Sequence, residues 1–184
     1  MQSPPREYLP DRFRDSGRKR RRKMHQALGD GQGAASRLEA VTDELHLYTL
    51  HAEHLSLPER STAPEGIYEH KTVAAWREAV SGAFSGPYWW RIESGEERLH
   101  VHVIADRTAG PADLVRGGAR CKPVYDLPGL LRYLAKPVVL PTDETLAVYR
   151  KAKARARRLG KQLPRTSGYV GIPSSKSWQN GSVG

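Results

Sequence analysis

Short stretches of the chain alternate apolar and polar residues with a period of two, which is typical of half-buried β-strands. The first stretch covers residues 44–50, where alternate positions from Leu45 to Thr49 share one face. Two more strands are predicted on either side of Gly95, and a short one over residues 122–125. These stretches together predict a β-sheet.

Three other stretches have apolar residues at helical spacing. The first covers residues 71–84. The second covers residues 126–137, where Asp126 is a suitable N-cap and Pro137 stops the helix. The third covers residues 142–160. Because strands and helices both occur, the predicted class is α+β, an antiparallel sheet with helices packed on one face.

Both ends of the chain are rich in Pro, Gly and charge and lack apolar periodicity, which is typical of disorder. We therefore predict four segments. Residues 1–40 form a disordered basic arm and linker, and residues 41–140 form the folded domain. Residues 141–170 form a basic helix with a following extended segment, and residues 171–184 form a flexible tail.

Composition excludes several classes of protein. In 184 residues with a mean hydropathy of -0.64, no apolar run approaches the ~18 residues that span a bilayer. The N-terminus lacks the apolar segment of a signal peptide, so a cytoplasmic location is expected. Cys121 is the single cysteine, so His and carboxylate side chains must supply any metal site.

The net charge of +10 favours a polyanionic partner, and it is concentrated in two clusters. One is the unbroken run at residues 18–23, and the other lies at residues 150–161. A basic run alone is often a solvated surface, but two in one small chain favour nucleic acid. The residues of these clusters that we predict to contact DNA are Arg18, Lys19, Arg20, Arg21, Arg22, Lys23, Arg150, Lys151, Arg155 and Arg158.

The two strands around Gly95 predict a β-hairpin with chemistry on one face. A two-residue type II′ turn at Gly95-Glu96 would set Glu93 opposite Arg98. The core face of this hairpin is then wholly apolar. Its other face carries the residues Trp89, Arg91, Glu93, Arg98, His100 and His102.

His100 and His102 project in the same direction about 6.5 Å apart, because they are two residues apart on a strand. Glu93 lies diagonally from His100 in the predicted pairing and can complete a set of three ligands with open positions. A lone His-x-His pair is more often surface decoration, and Glu93 in register is what favours a site. A carboxylate with water and phosphate oxygens suits Mn²⁺ or Mg²⁺.

Tyr133 and Lys136 are three residues apart on the second predicted helix, so they share a face and can act on one phosphate. Lys136 can place positive charge beside a phosphate that the Tyr133 phenol attacks. An isolated Tyr-x-x-Lys is more often a half-buried tyrosine with a lysine at the surface. The neighbouring metal site is what favours the catalytic interpretation.

The strand from Leu45 to Leu50, then Glu93 with His100-Val101-His102, then Tyr133-Leu134-Ala135-Lys136, resembles in this order the HUH endonucleases, specifically plasmid and viral rolling-circle replication initiators. The resemblance covers residues 43–140. It implies a ferredoxin-like or RNA-recognition-motif-like sheet fold. It also implies a metal held by the two histidines and the glutamate, and a 5′-phosphotyrosyl adduct on the tyrosine.

The resemblance also implies a setting. The chain would nick single-stranded or origin DNA in a bacterial cytoplasm, for a plasmid or another mobile element. No Gly-x-x-x-x-Gly-Lys-Ser/Thr loop is present, so unwinding would come from a host helicase. Conjugative relaxases fit less well, because they carry an N-terminal nucleophile and a third metal histidine, and Tyr8 alone does not supply this. The first motif also departs from the family, since Thr49 is followed by Leu50-His51 instead of a second threonine.

In the nicking hypothesis Arg91 and Arg98 are further DNA contacts, and Trp89 is either a base-stacking platform beside the metal or rim packing. Two alternatives from other classes remain open at this point. One is a non-catalytic module whose basic arm and sheet bind single-stranded nucleic acid through charge and stacking. The other is a non-haem iron centre at Glu93, His100 and His102 in a cupin-like barrel. A family member that binds an origin without cutting it is a third possibility.

Overall fold

The computed structural model describes residues 38–39, 42, 44–95, 97–110, 112–134 and 143–171. These residues form a five-stranded sheet in the order β4-β1-β3-β2-β5, in which all neighbouring strands are antiparallel. The strands are β1 (Leu45–Leu50), β2 (Tyr88–Ser94), β3 (Leu99–Asp106), β4 (Arg120–Pro123) and β5 (Ser167–Val170). Because this sheet ends at β4 and β5, the described residues form no cupin-like barrel.

Besides the helical residues 38–39, four α-helices accompany the sheet in the described part of the chain, and three 3-10 turns at residues 52–55, 59–61 and 64–68 connect β1 to the first of these four. The helices are α1 (His70–Ala83), α2 (Ala112–Arg116), α3 (Leu127–Leu134) and α4 (Asp143–Arg158). The predicted α+β class, an antiparallel sheet with helices packed on one face, is confirmed; α3 lies on the other face.

The main core lies between α1 and one face of the sheet. Val73, Trp76 and Val80 form the buried stripe of α1, at the spacing that places residues on one side of a helix. They pack against apolar residues that alternate along β1, β2 and β3, and the Trp76 indole donates a hydrogen bond to the carbonyl of Ser61 (2.8 Å). The wholly apolar face predicted for the hairpin is confirmed; it comprises Tyr88, Trp90, Ile92, Leu99, Val101 and Val103.

A smaller apolar cluster covers part of the opposite face. Leu127, Leu131 and Leu134 of α3 pack there against Leu45, Trp89 and Ile104. Asp126 caps α3 as predicted, because its Oδ1 accepts a hydrogen bond from the amide of Gly129 (2.8 Å). The helix that carries Tyr133 therefore lies on the sheet face that was predicted to hold the metal ligands.

Two predicted segment boundaries are wrong. Leu38 belongs to the predicted disordered arm, but it is 1% exposed and packs in the cluster beneath α3, because an apolar side chain is stabilised there. Residue 140 does not end the folded unit either. The extended segment that follows α4 becomes β5 and pairs with β2, from Tyr88 opposite Val170 to Arg91 opposite Ser167.

Other boundaries moved by a few residues or fall outside the description. The predicted strand at residues 122–125 is observed at Arg120–Pro123. Helix α4 ends before Gly160, whose φ of +62° is a helix-terminating conformation. The predicted end of α3 at Pro137 lies outside the described residues, as do the basic run at residues 18–23 and the tail from residue 172.

Candidate metal centre

The pairing of β2 with β3 places the candidate ligands side by side. Glu93 lies directly opposite His100, and Arg91 directly opposite His102. The predicted register, with Glu93 opposite Arg98 and diagonal to His100, is therefore wrong by two residues. The faces are nevertheless those predicted, because a shift of two residues keeps every side chain on its side of the sheet.

The turn explains the shifted register. A type II′ turn with Gly95 at its first central position needs a positive φ, and Gly95 does not adopt one. Instead, the amide of Gly95 donates a hydrogen bond to the carbonyl of Arg98 (3.0 Å), so the chain reverses between these two residues. This brings the carboxylate closer to both imidazoles than the predicted diagonal arrangement would.

Three donor atoms converge on one point of this face. One ligand atom from each of Glu93, His100 and His102 lies within 4.8 Å of the other two. Glu93 Oε2 is 3.6 Å from His102 Nε2 and 3.9 Å from His100 Nε2. Donors on one ion at ~2.1 Å are about 3.0 to 3.4 Å apart, so both Glu93–histidine distances must shorten, and the donor atoms of His100 and His102, which lie within 4.8 Å of each other, must come into the same range. The residues present fit a divalent cation.

Electrostatics favour the ligand-competent protonation states of two of the three candidate ligands, His100 and Glu93. Burial, followed by the charge of His102, lowers the pKa of His100 to about 4, so this imidazole is neutral at neutral pH. Burial would raise the pKa of Glu93. However, a hydrogen bond and charge from His102, together with the charge of Arg91, outweigh burial and leave that pKa below its usual value. A neutral His100 and an anionic Glu93 are the forms that bind a divalent cation.

A second layer of contacts orients two of the ligands. Thr49 on β1 pairs with His102 on β3, and Thr49 Oγ1 is 3.2 Å from His102 Nδ1. When Nδ1–H donates to the hydroxyl, the lone pair of Nε2 faces Glu93. On the other side, Arg91 Nε is 2.9 Å from Glu93 Oε1, which leaves Oε2 directed to the histidines. Thr49, across from His102 on β1, and Arg91, two residues before Glu93 on β2, thus orient two of the candidate ligands.

We expect Thr49→Val to weaken Mn²⁺ binding by about 10-fold, because loss of the hydroxyl frees the His102 ring to rotate and change tautomer. Valine keeps the β-branched shape, so β1 should be preserved. Thr49→Ser retains the hydroxyl and serves as the matched control, with affinity close to wild type. Isothermal titration calorimetry measures both variants. If Thr49→Val and Thr49→Ser bound Mn²⁺ with equal affinity, Thr49 would have no role in orienting His102.

We also expect the metal-free protein to lose stability as the pH falls from about 6.5 to about 4. The folded pKa of His100 is lowered to about 4, so between these values the unfolded chain binds more protons and is favoured. The contribution of His100 that is lost between pH 7 and pH 5 is up to about 2 kcal/mol. Urea unfolding in the presence of a chelator measures it. His100→Gln should have a shallower pH dependence, and identical profiles for the two proteins would contradict the prediction.

The predicted nucleophile is accessible. Tyr133 is 55% exposed on α3, whose leucines pack against Ile104. Ile104 is two residues beyond His102 on β3, a distance of roughly 6.5 Å along the strand. The structure thus brings the helix of Tyr133 to the same face as the candidate ligands. Its predicted helper, Lys136, lies outside the described residues.

The other predicted contacts of the hairpin need correction. Trp89 is 8% exposed and packs under α3, so of its two predicted roles it has the packing one and is not accessible for base stacking. Arg91 is 7% exposed and ion-paired with Glu93, so it positions a ligand and is not available as a DNA contact. Both corrections have one cause, because α3 and β5 cover parts of a face that the hairpin alone would expose. Arg98 remains half-exposed and lies 3.4 Å from Glu53.

His51 is a site residue that the sequence interpretation missed. Its ring centroid is 5.9 Å from that of His100, and burial lowers its pKa. Its Nδ1 is buried and makes no hydrogen bond within the described part of the chain. The alternation that puts Leu45 and Thr49 on one face of β1 extends to His51. Continuing this alternation by one residue places His51 beside His100, but the strand predicted from the sequence ended at Leu50.

Comparison with known proteins gives no relative. Neither a protein-family model, nor a curated protein, nor a solved structure matches this chain. In the described part of the chain, no helix is both long and apolar enough to cross a bilayer. The chemistry of the site and its surroundings must therefore carry any functional assignment.

Proposed function

We propose that this chain is a metal-dependent endonuclease that nicks single-stranded DNA through Tyr133, as rolling-circle replication initiators do. The observation that carries the proposal is the convergence of Glu93, His100 and His102 on the sheet face against which the helix of Tyr133 packs. The exposure of Tyr133 and the many cations of α4 support it further, because the substrate is a polyanion that must reach the phenol.

In the proposed reaction, Glu93, His100 and His102 would hold a Mn²⁺ or Mg²⁺ ion. When bound, the ion supplies Lewis-acid polarisation of a phosphate oxygen. The Tyr133 oxygen attacks the phosphorus in line, a tyrosyl O–P bond forms, and the P–O3′ bond breaks. The phenolic proton is lost to solvent, and the departing 3′ oxygen gains a proton to become a 3′-OH. The 5′-phosphotyrosyl adduct conserves the bond energy, so the reverse attack by a 3′-OH rejoins the strand without ATP.

The proposal extends to a biological setting. An origin of a plasmid, phage or other mobile element in bacterial cytoplasm is the expected substrate, and a host helicase would unwind the duplex. Lys136 is proposed to stabilise charge on the attacked phosphate.

A second candidate function is a non-catalytic module that binds nucleic acid. The exposed cations of α4 favour it, because they attract phosphate without regard to any reaction. It predicts binding without a covalent product. The two candidates therefore differ in one observable, the protein–DNA adduct.

The test is a denaturing gel of the wild-type protein incubated with Mn²⁺ and end-labelled single-stranded oligonucleotides, used as a random pool and as the strands of the cognate replicon. The proposal predicts a slow-migrating, protease-sensitive species that carries only 3′-labelled DNA, because Tyr133 bonds to the 5′-phosphate of the fragment downstream of the nick and the upstream fragment leaves with a free 3′-OH. Chelator should abolish it. Binding without an adduct in a reaction that contains the cognate strand would establish the non-catalytic module.

A further inference from the structure

Helix α4 carries a dense set of exposed cations far from the metal site in sequence. Its 16 residues begin with Asp143 and Glu144, and its basic residues follow from Arg150 onward. This order is electrostatically favourable, because acids lie at the positive helix N-terminus and cations at the negative C-terminus. No acidic residue occurs from residue 145 to residue 184. All six cations of the helix are exposed, namely Arg150, Lys151, Lys153, Arg155, Arg157 and Arg158.

At roughly 100° per residue, these cations fall into two rows with a gap between them. Arg150, Lys153 and Arg157 form row one, and Lys151, Arg155 and Arg158 form row two. The exposed residue Ala154 lies between the rows. It lines a shallow concavity together with Arg150, Lys153, Arg157 and Arg158. The outward surface of α4 thus has the small side chain of Ala154 at its centre and cationic side chains on either side of it.

The opposite side of α4 is attached to the domain. The Tyr149 ring lies 5.8 Å from the Tyr68 ring in the 3-10 turn at residues 64–68. Just after the helix, His70 Nε2 is within hydrogen-bond distance of the Gln162 carbonyl (2.8 Å). The half-exposed residues Val148, Ala152 and Ala156 share this inward side. Row one therefore projects away from the domain, whereas Lys151, Arg155 and Arg158 of row two lie on the flank of α4 and also line the cleft between α4 and residues 65–71.

We propose that α4 docks in the major groove of double-stranded DNA, with row one on the phosphates of one strand and row two on those of the other. An α-helix with its side chains is about 10 to 12 Å across, and the groove is ~12 Å wide. A small residue at the centre allows close approach to the base edges, while arginine and lysine reach outward to phosphate. The inference rests on the proposed function only for its setting, the duplex that flanks a nick.

Single-stranded nucleic acid fits this surface less well. Modules that bind single strands combine cations with exposed aromatic rings on which bases stack. The outward surface of α4 has no aromatic residue, since Tyr149 faces Tyr68 and lies under Lys153, whose Nζ is 5.7 Å from the ring centroid. Two parallel rows of charge match the two backbones that border a groove better than the single backbone of an unpaired strand.

The test measures binding by fluorescence anisotropy over a range of salt concentrations, with a duplex and a single strand of one sequence. The full-length Tyr133→Phe protein is used so that no cleavage occurs. We expect tighter binding to the duplex. Neutralising row one (Arg150→Gln, Lys153→Gln, Arg157→Gln), or row two in the same way, should reduce the steepness of log K against log[salt] by about 2 to 3 on duplex.

The second variant blocks the centre without changing charge. Ala154→Trp should weaken duplex binding by about 10-fold or more and change single-strand binding by less than about 2-fold, because the indole prevents entry into the groove. Leu159→Trp is the matched control, because Leu159 is 59% exposed and lies about 140° around the helix from Ala154, away from the gap between the rows; it should bind duplex like the parent. Circular dichroism checks that each helix is retained.

Equal affinity for duplex and single strand, or unchanged duplex binding by Ala154→Trp, would overturn the groove assignment and leave α4 as a non-specific cationic surface. The assignment would also be overturned if an acidic protein displaced duplex DNA from α4 as effectively as a DNA competitor that carries the same total negative charge. The adduct assay on wild-type protein is independent. An adduct without duplex preference refutes this inference alone, and duplex preference without an adduct refutes the nicking proposal alone.

Discussion

Tyr133→Phe is expected to abolish the covalent protein–DNA adduct, with a loss of at least about 10³-fold in its rate of formation. Phenylalanine lacks the oxygen that would bond to phosphorus, so no other feature of the site can replace it. The change should not disturb folding, because Tyr133 is 55% exposed and substitutions at such positions usually change stability by less than about 0.5 kcal/mol. Quantitative denaturing gels measure the adduct, and urea unfolding confirms equal stability.

Tyr125→Phe provides the matched control. Tyr125 is 92% exposed and lies just before α3, so it offers a second accessible phenol close in sequence. It should form the adduct at the wild-type rate. If the adduct instead persists in Tyr133→Phe and disappears in Tyr125→Phe, the nucleophile is Tyr125. Persistence in both variants would place the covalent bond on another residue, which mass spectrometry of the digested adduct would identify.

The hairpin illustrates what alternation along a strand can predict. Period two determines the face of a residue, so the apolar face and the face of Glu93, His100 and His102 followed directly from the sequence. It does not distinguish registers that differ by two residues. The conformation of the turn determines which of these registers forms. The sequence around Gly95 suggested a type II′ turn, but the chain does not adopt that turn. The predicted faces were therefore correct while the predicted neighbours were wrong.

Residues that are distant in sequence account for most of what was missed. Thr49 contacts His102 only because β1 lies beside β3, and Arg91 is covered in part because β5 adds to the edge of β2. Neither pairing has a signal in the local pattern, since four residues at 167–170 are too few for a clear period. The burial of Trp89 was not predicted for the same reason, because the residues that cover its side chain belong to α3.

The histidine His51 is a different case. Its position follows from extending β1 by one residue, so the local pattern contained the information. What the sequence could not supply is that its buried Nδ1 makes no hydrogen bond to any of the residues that the structure describes. The histidine that neighbours His100 is therefore found by pattern, and its electrostatic effect on the site is found only from the fold.

His102→Ala is expected to remove the stabilisation that Mn²⁺ gives to the folded protein. A ligand that binds only the folded state stabilises it by RT ln(1 + [L]/Kd), which is about 2.7 kcal/mol at 100 times Kd. Removing one donor of three should weaken binding by at least about 100-fold, since loss of a mere orienting partner already costs 10- to 100-fold. At a Mn²⁺ concentration that suffices for wild type, the variant should therefore gain less than about 0.5 kcal/mol.

This measurement separates the metal site from the reaction, because thermal or urea unfolding with and without Mn²⁺ requires neither DNA nor Tyr133. His46→Ala is the matched control. His46 lies on β1 but outside the cluster of candidate ligands, so its variant should keep the full metal-dependent shift. If the Mn²⁺-dependent increase in stability were retained in His102→Ala and lost in His46→Ala, the ion would bind somewhere other than at Glu93, His100 and His102. A metal-dependent shift with no adduct would instead support an intact ion site in a protein that binds an origin without cutting it.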